Sequence, residues 1–270
     1  MTFSICAFDR DTGELGIAVQ SKFLAVGAVV PFARAGVGAI ATQSWANTSY
    51  GARGLDLLAS GVAPDEVVQR LISDDADREK RQLGIVDARG RAATYTGKEC
   101  FDWAGGLTGV GFCAQGNILA GSAVVEGLAR GFENAGGMLA DRLVAALHEG
   151  QRGGGDRRGM QSAALVVVRE KGGYGGWSDR YIDVRIDDHE RPIDELERLL
   201  GLYKLYFKIG PVRRIPIDAA LRAELDAILA RSGHSELRDL FGVENLEERW
   251  LDGPAIDQAA LHHLRRRYGS

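Results

Sequence analysis

Residues 2–20 read Thr-Phe-Ser-Ile-Cys-Ala-Phe-Asp-Arg-Asp-Thr-Gly-Glu-Leu-Gly-Ile-Ala-Val-Gln. Two short strand-like runs, Phe3 to Phe8 and Leu15 to Gln20, flank the polar turn Asp9-Arg10-Asp11-Thr12-Gly13, so the chain is predicted to open on a β-hairpin. A second hairpin follows from Ala28 to Ala33 and Val37 to Gln43, with Gly36 in the turn. Helical spacing comes next: Leu55 and Leu58, then Pro64-Asp65-Glu66 opening a helix that carries Val67, Val68, Leu71 and Ile72. Proline and two acids in a first turn suit a helix start on steric and dipole grounds.

The pattern then repeats. Gln82 to Val86 and Arg91 to Thr96 flank Asp87-Ala88-Arg89-Gly90 as a third hairpin, and Thr108 to Ala114 reads as a further strand. Two helices are predicted through Val124 to Phe132 and through Leu139 to Leu147, the latter ending at Gly150. Strands at Ser162 to Val168 and Tyr181 to Ile186 and a helix over Pro192 to Phe207 close the block. Strands joined by tight turns pair antiparallel, and paired helices must cover sheet faces. The simplest arrangement is an α+β, four-layer αββα sandwich of two antiparallel sheets. One-by-one alternation of strand and helix, which a Rossmann fold needs, is absent.

From Ile217 on, only helical patterns are read: Leu221 to Leu229 ended by Gly233, Leu237 to Phe241, and Ile256 to Leu264. The expected organisation is a large domain over 1–208, a linker over 209–216 and a small all-α domain over 217–270. The linker is placed by Gly210-Pro211, Pro216 and a basic pair.

A chain that is 45% hydrophobic and 26% charged belongs with ordinary globular proteins and not with disordered ones. The net charge of -4 argues against nucleic-acid binding, which rests on a basic field. No secretory pattern or long apolar run is read, so a cytoplasmic protein with no membrane partner is expected. Cys6, Cys100 and Cys113 form no CxxC pair and read as buried thiols.

Most chemical constellations fail on spacing. Gly153 to Gly159 is glycine-rich but lacks the Gly-Lys-Ser/Thr that a phosphate loop requires. Asp9 to Gly13 starts like a calcium loop, yet the closing position falls on Gln20. The histidines have no metal-ligand spacing, so no metal and no cofactor is expected. What remains is the start. Methionine aminopeptidase removes Met1 when a small residue follows, and Thr2 qualifies, which leaves a threonine with a free α-amine at the edge of a strand. That amine titrates near 7.7–8.0, so a useful fraction is neutral at pH 7 and can take the hydroxyl proton.

The order of elements matches that of N-terminal-nucleophile hydrolases, an analogy at the level of fold. Five segments resemble the family called domain of unknown function 1028 over residues 2 to 205. They are Thr2-Phe3-Ser4-Ile5, Ala25 to Pro31, Gly36 to Gln43, Gly116-Asn117 and Gly154 to Ala164. The resemblance implies an N-terminal-nucleophile hydrolase-like fold, with Thr2 as nucleophile toward a C–N bond of a small amide or peptide. A catalytically silent relative that binds a small molecule or a partner is the alternative. By similarity to proteasome-type members of the wider superfamily, Ser21 and Lys22 lie in the stretch that supports the nucleophile, with Gln20 in place of an acid. No lysine stands among Val29 to Ala33, where those enzymes carry one on the third strand. Asp156 and Ser162 become candidates for orienting the amine, Gln43 and Asn117 for donating to an oxyanion, and Lys22, Arg157 and Gln161 for holding substrate. The segments Phe241 to Arg249 and Asp257 to Leu261 are similar to modules described as peptidoglycan-binding. A docking or dimer-forming role is preferred for them, with peptidoglycan ranked second.

Overall fold

A computed structural model describes residues 2–269. β1 (Thr2–Phe8) and β2 (Leu15–Ser21) pair antiparallel with Thr2 opposite Ser21 and Phe8 opposite Leu15. Their turn is closed by the Asp9 carboxylate, which accepts the backbone N–H groups of Asp11 (3.0 Å) and Thr12 (3.1 Å). Gly13, at φ +73°, takes the left-handed position that a Cβ disfavours.

The second hairpin starts later than its apolar run suggests. Val26–Ala28 form a single 3-10 turn, and the strands are β3 (Pro31–Arg34) and β4 (Gly38–Ser44). After helices α1 (Ser49–Ala59) and α2 (Pro64–Ser73) come β5 (Arg81–Asp87) and β6 (Ala92–Thr96). The single strand expected over Thr108 to Ala114 is two: β7 (Gly105–Gly109) and β8 (Phe112–Asn117), folded back at Val110 and Gly111. Gly111 sits at φ +77° and Val110 points to solvent. The chain continues with α3 (Ala123–Asn134), α4 (Leu139–Arg152), β9 (Ser162–Val168), β10 (Arg180–Ile186) and α5 (Pro192–Tyr206).

Every pairing is antiparallel. One sheet runs β10-β9-β2-β1-β8-β7 and another β3-β4-β5-β6. Side chains alternate across a strand, and that alternation sorts β1 into two environments. Phe3, Ile5 and Ala7 are fully buried on the side covered by α3 and α4, where Gly150 of α4 leaves room for the Phe3 ring. Cys6 faces the other sheet, in one buried cluster with Val19 of β2, Ala41 of β4 and Val86 of β5. The second sheet carries α1 and α2 on Ile40, Leu83 and Ile85. Each such large apolar side chain taken from water stabilises the fold by about 1.5–3 kcal/mol.

Contacts divide the chain between Glu197 and Arg198, inside α5. The second unit holds α6 (Ala219–Ser232), α7 (Leu237–Val243) and α8 (Gln258–Tyr268). It is not all-α: β11 (Arg214–Pro216), within the expected linker, pairs with β12 (Ala255–Asp257). Asp218 and Asp257 cap α6 and α8 by accepting backbone N–H groups of the first turn. Asp257 also pairs at 3.2 Å with Arg249, a buried guanidinium that donates to the Leu205 (2.6 Å) and Lys204 (2.8 Å) carbonyls. Eight α-helices are present among the described residues. None of them is long and apolar enough to cross a membrane.

Candidate active site

Thr2 begins the strand that lies between β2 and β8, opposite Ser21 on one side and Asn117 on the other. Its Oγ1 lies 3.0 Å from Ser21 Oγ, and the residue is 6% exposed. Met1, whose removal the sequence reading requires, lies outside the described residues.

Beneath Thr2, between the sheets, is a polar cluster in which no side chain is charged. Gln82 is its hub: its Oε1 accepts both Gln43 Nε2 and Asn117 Nδ2, each at 2.8 Å. Gln82 Nε2 donates to Gly116 O (2.7 Å) and Thr96 Oγ1 (2.9 Å). Ser4 Oγ donates to Gln43 Oε1 (2.6 Å) and accepts Gln115 Nε2 (2.7 Å), while Gln43 Nε2 also reaches Thr2 O at 3.4 Å. Gly84 admits the Gln115 carboxamide, because a Cβ there would stand 2.0 Å from Gln115 Oε1. Ser4, Gln82 and Gln115 were missed by sequence reasoning. The available signal was a polar residue at a strand position whose neighbours two residues away face the other sheet.

The other expected residues fall into different roles. Gln20 stands opposite Phe3, so its side chain leaves the sheet on the face away from the Ser21 hydroxyl, and its buried carboxamide has no hydrogen-bond partner among the described residues. Asp156, in the loop shaped by Gly154 and Gly155 at positive φ, accepts Lys22 N (3.0 Å) and Arg158 N (2.8 Å). Ser162 Oγ donates to Phe23 O and accepts Val26 N (3.1 Å). Both side chains therefore hold the 22–26 segment that leaves β2. Lys22 Nζ reaches Met160 O at 3.3 Å, and Gln161 Nε2 reaches Asp188 Oδ1 at 3.1 Å. Lys22 and Gln161 line a cavity of about 390 Å³ together with His189, whereas exposed Arg157 does not line it.

A larger cavity, about 720 Å³, lies at the end of the sheets where Thr2 begins, and its walls include Trp45, Arg81, Lys98 and Phe101. Its walls leave directly from the residues around Thr2. Ser44 follows Gln43 and pairs with Arg81, next to the Gln43 and Gln82 pair, and Trp45 N donates to Lys80 O at 3.3 Å. On the other side Ile118 follows Asn117 and donates its N–H to Phe101 O at 2.8 Å. Ser44 (φ 69°) and Ile118 (φ 51°) both adopt the left-handed region, costly for a β-branched residue, at the points where the chain turns out of the sheets. Trp45 and Phe101 are 62% and 61% exposed.

Arg81 is anchored from below. Its Nε donates to Asp75 Oδ2 (2.9 Å), its Nη1 to Trp45 O (2.7 Å), and the same Asp75 oxygen accepts Tyr50 OH (2.7 Å) and Asn47 Nδ2 (3.1 Å). The Arg81 guanidinium holds the Asp75 carboxyl well below the usual carboxylate range, and burial beside that carboxylate raises the Tyr50 hydroxyl.

Burial pushes the Cys6 thiol well above its ordinary value, so it is no nucleophile at neutral pH. Among the described residues no three His, Cys, Asp or Glu side chains are grouped to hold a metal ion.

The model of a family of unknown function, DUF1028, matches residues 2–196. The crystal structure of a Silicibacter pomeroyi protein described by that same family model is similar, with 32% identity and a TM-score of 0.70, over 75% of this chain and 86% of that one. The ancestral beta-subunit Anbu of Yersinia bercovieri shows only a weak likeness, at 11% identity and a TM-score of 0.33 over 79% of this chain and 100% of its own. No curated protein matches. By the family model and the Silicibacter relative, the chain belongs to the DUF1028 family.

Proposed function

We propose that the chain is an N-terminal-nucleophile amidohydrolase, in which Thr2, freed of Met1, cleaves a C–N bond of a small amide or peptide. The observation that carries this reading is the position of the Thr2 hydroxyl, 3.0 Å from Ser21 Oγ, at the first residue of an interior strand and above a cluster of neutral carboxamides. Two facing antiparallel sheets, one backed by α1 and α2 and the other by α3 and α4, support an αββα sandwich of that hydrolase type. The family match begins at residue 2, at the proposed nucleophile.

The chemistry follows from the groups at hand. Among the described residues no Lys, His, Asp or Glu side chain bonds to Thr2 Oγ1, so its own α-amine is the base. Ser21 Oγ fixes the hydroxyl, and Thr2 Oγ1 adds to the substrate carbonyl carbon as its proton passes to the amine. Collapse breaks the C–N bond, the amine returns the proton to the leaving nitrogen, and an ester on Thr2 is left. Water then hydrolyses the ester to a carboxylic acid and restores the hydroxyl. Asn117 Nδ2 keeps one N–H beyond its bond to Gln82, a donor for the developing oxyanion, whereas Gln43 Nε2 is spent on Gln82 and nearby carbonyls.

A screen of small amides and dipeptides against purified chain, with intact mass to establish loss of Met1, tests the reading. Thr2→Ser should retain turnover, while Thr2→Ala, or one uncleaved residue before Thr2, should abolish it. Turnover that survives Thr2→Ala overturns the mechanism. Retention of Met1 blocks the amine and favours the silent binding relative. For the second unit the preferred reading is docking or dimer formation. Saturable binding of residues 198–270, within the full chain, to purified peptidoglycan would replace it.

A further inference from the structure

The larger cavity, whose walls continue from Ser44 and Ile118, has an unusual charge distribution. Lys80, Asp77 and Arg81 are occupied with one another and with Asp75: Lys80 Nζ lies 2.8 Å from Asp77, and Arg81 lies 2.9 Å from Asp75 and 3.6 Å from Asp77. Lys98 Nζ, by contrast, has no hydrogen bond or ion pair among the described residues, and neither have the Glu99 and Asp102 carboxylates, of which Glu99 acts on the Lys80 ammonium only through its charge. One cation and two carboxylates are thus left for a ligand on the same wall. A purely anionic ligand would face the carboxylates and a purely cationic one would face Lys98, each at the cost of like-charge contact. A zwitterion satisfies both. The rings of Trp45 and Phe101 add a flat apolar surface at the same opening, suited to an apolar or aromatic side chain. At about 720 Å³ the cavity is within the usual range for a small-molecule site.

We infer that this cleft is a recognition site for a short peptide with both termini free, its α-amine held by Glu99 and Asp102, its carboxylate by Lys98, and an apolar side chain laid on Trp45 and Phe101. The inference deepens the amidohydrolase reading and rests on it only for the fate of the bound peptide. The walls of the cleft spring from Ser44 and Ile118, the residues next to Gln43 and Asn117, so a peptide held there lies beside the residues that flank Thr2.

Isothermal titration of the full chain carrying Thr2→Ala, with glycyl-phenylalanine as probe, reads binding without turnover. The comparison ligands are glycyl-glycine, which lacks the ring, and N-acetyl-glycyl-phenylalanine amide, which lacks both charges. Glycyl-phenylalanine should bind at least about ten-fold more tightly than either, a difference of about 1.4 kcal/mol. Trp45→Ala and Lys98→Glu, both at exposed positions, should each weaken it by a similar factor with unchanged circular dichroism. Equal binding of the blocked peptide, no measurable binding of glycyl-phenylalanine, or a Kd that moves less than two-fold in both variants overturns the inference. Binding as expected, with no hydrolysis of any dipeptide by the Met1-free wild type, keeps the cleft and removes the nucleophile. Hydrolysis whose KM ignores both variants does the reverse.

Discussion

Asp75→Asn isolates the charge that anchors the cleft. The Asp75 and Arg81 side chains are 10% and 16% exposed, so the pair is shielded from water, and Tyr50 OH and Asn47 Nδ2 converge on the same carboxylate. Removing one partner of a buried pair costs about 3–5 kcal/mol, because the remaining charge stays desolvated. Asparagine keeps one acceptor for these donors, which places the expected loss near the lower end, about 3 kcal/mol. In a unit of this size that corresponds to a fall in Tm of roughly 6–12 °C. Urea unfolding followed by circular dichroism at pH 7 measures it. The dependence on pH is the sharper check. The Asp75 carboxyl is held low in the folded chain, so its contribution is complete above the unfolded value near 3.9 and is lost as pH falls toward the folded value. The gap between wild type and variant should therefore be full at pH 7 and narrow below about pH 4. A loss under about 1 kcal/mol at pH 7, typical of an exposed pair, or a gap that does not change with pH, would show that the Asp75 and Arg81 pair is not shielded.

Glu14 should behave oppositely: burial raises its carboxyl despite Arg169 at 3.0 Å, and its Oε2 has no hydrogen-bond partner among the described residues. Its favourable contribution lies below the unfolded value near 4.3 and is lost as pH rises, so Glu14→Gln should match wild type within about 1 kcal/mol at pH 7 and fall behind it toward pH 4, as urea titrations at both pH values will show. In the second unit Arg249→Met strands Asp257, whose Oδ2 is already unpartnered, and should cost about 3–5 kcal/mol, read as faster hydrogen exchange over residues 198–269. The fully buried Cys6 and Cys113 thiols should react with a disulfide reagent only on unfolding, and rapid labelling of Cys6 in the native chain would contradict its burial.

The fold was legible where local rules and burial agree. Apolar runs punctuated by Asp9 to Gly13, Gly36 and Gly90 marked the hairpins, and Pro64-Asp65-Glu66 marked a helix start. The sequence Thr108 to Ala114 misled because Gly109-Val110-Gly111 carries no polar residue, and only the positive φ of Gly111 makes it a turn. β11 and β12, three residues each, are too short for any periodicity to register. At the site, Thr2, Ser21, Gln43 and Asn117 were named from position and resemblance, and the structure gathers them at one end of the sheets. Gln82 escaped because a glutamine at a strand start reads as solvent-facing until a second sheet covers it. Trp45, Lys98 and Phe101 escaped for a different reason: they stand in irregular segments, where residue type alone does not say which side chains meet.

A reactive hydroxyl at Thr2 is detected by exposing the purified chain to a β-lactone acylating agent and locating the adduct by peptide mass mapping. Ring opening by Thr2 Oγ1 adds the full mass of the lactone as an ester. One adduct is expected, on the peptide that begins with Thr2 in Met1-free chain, retained in Thr2→Ser and absent from Thr2→Ala. Met1-free chain that stays unlabelled, or labelling that persists in Thr2→Ala, contradicts a nucleophilic Thr2.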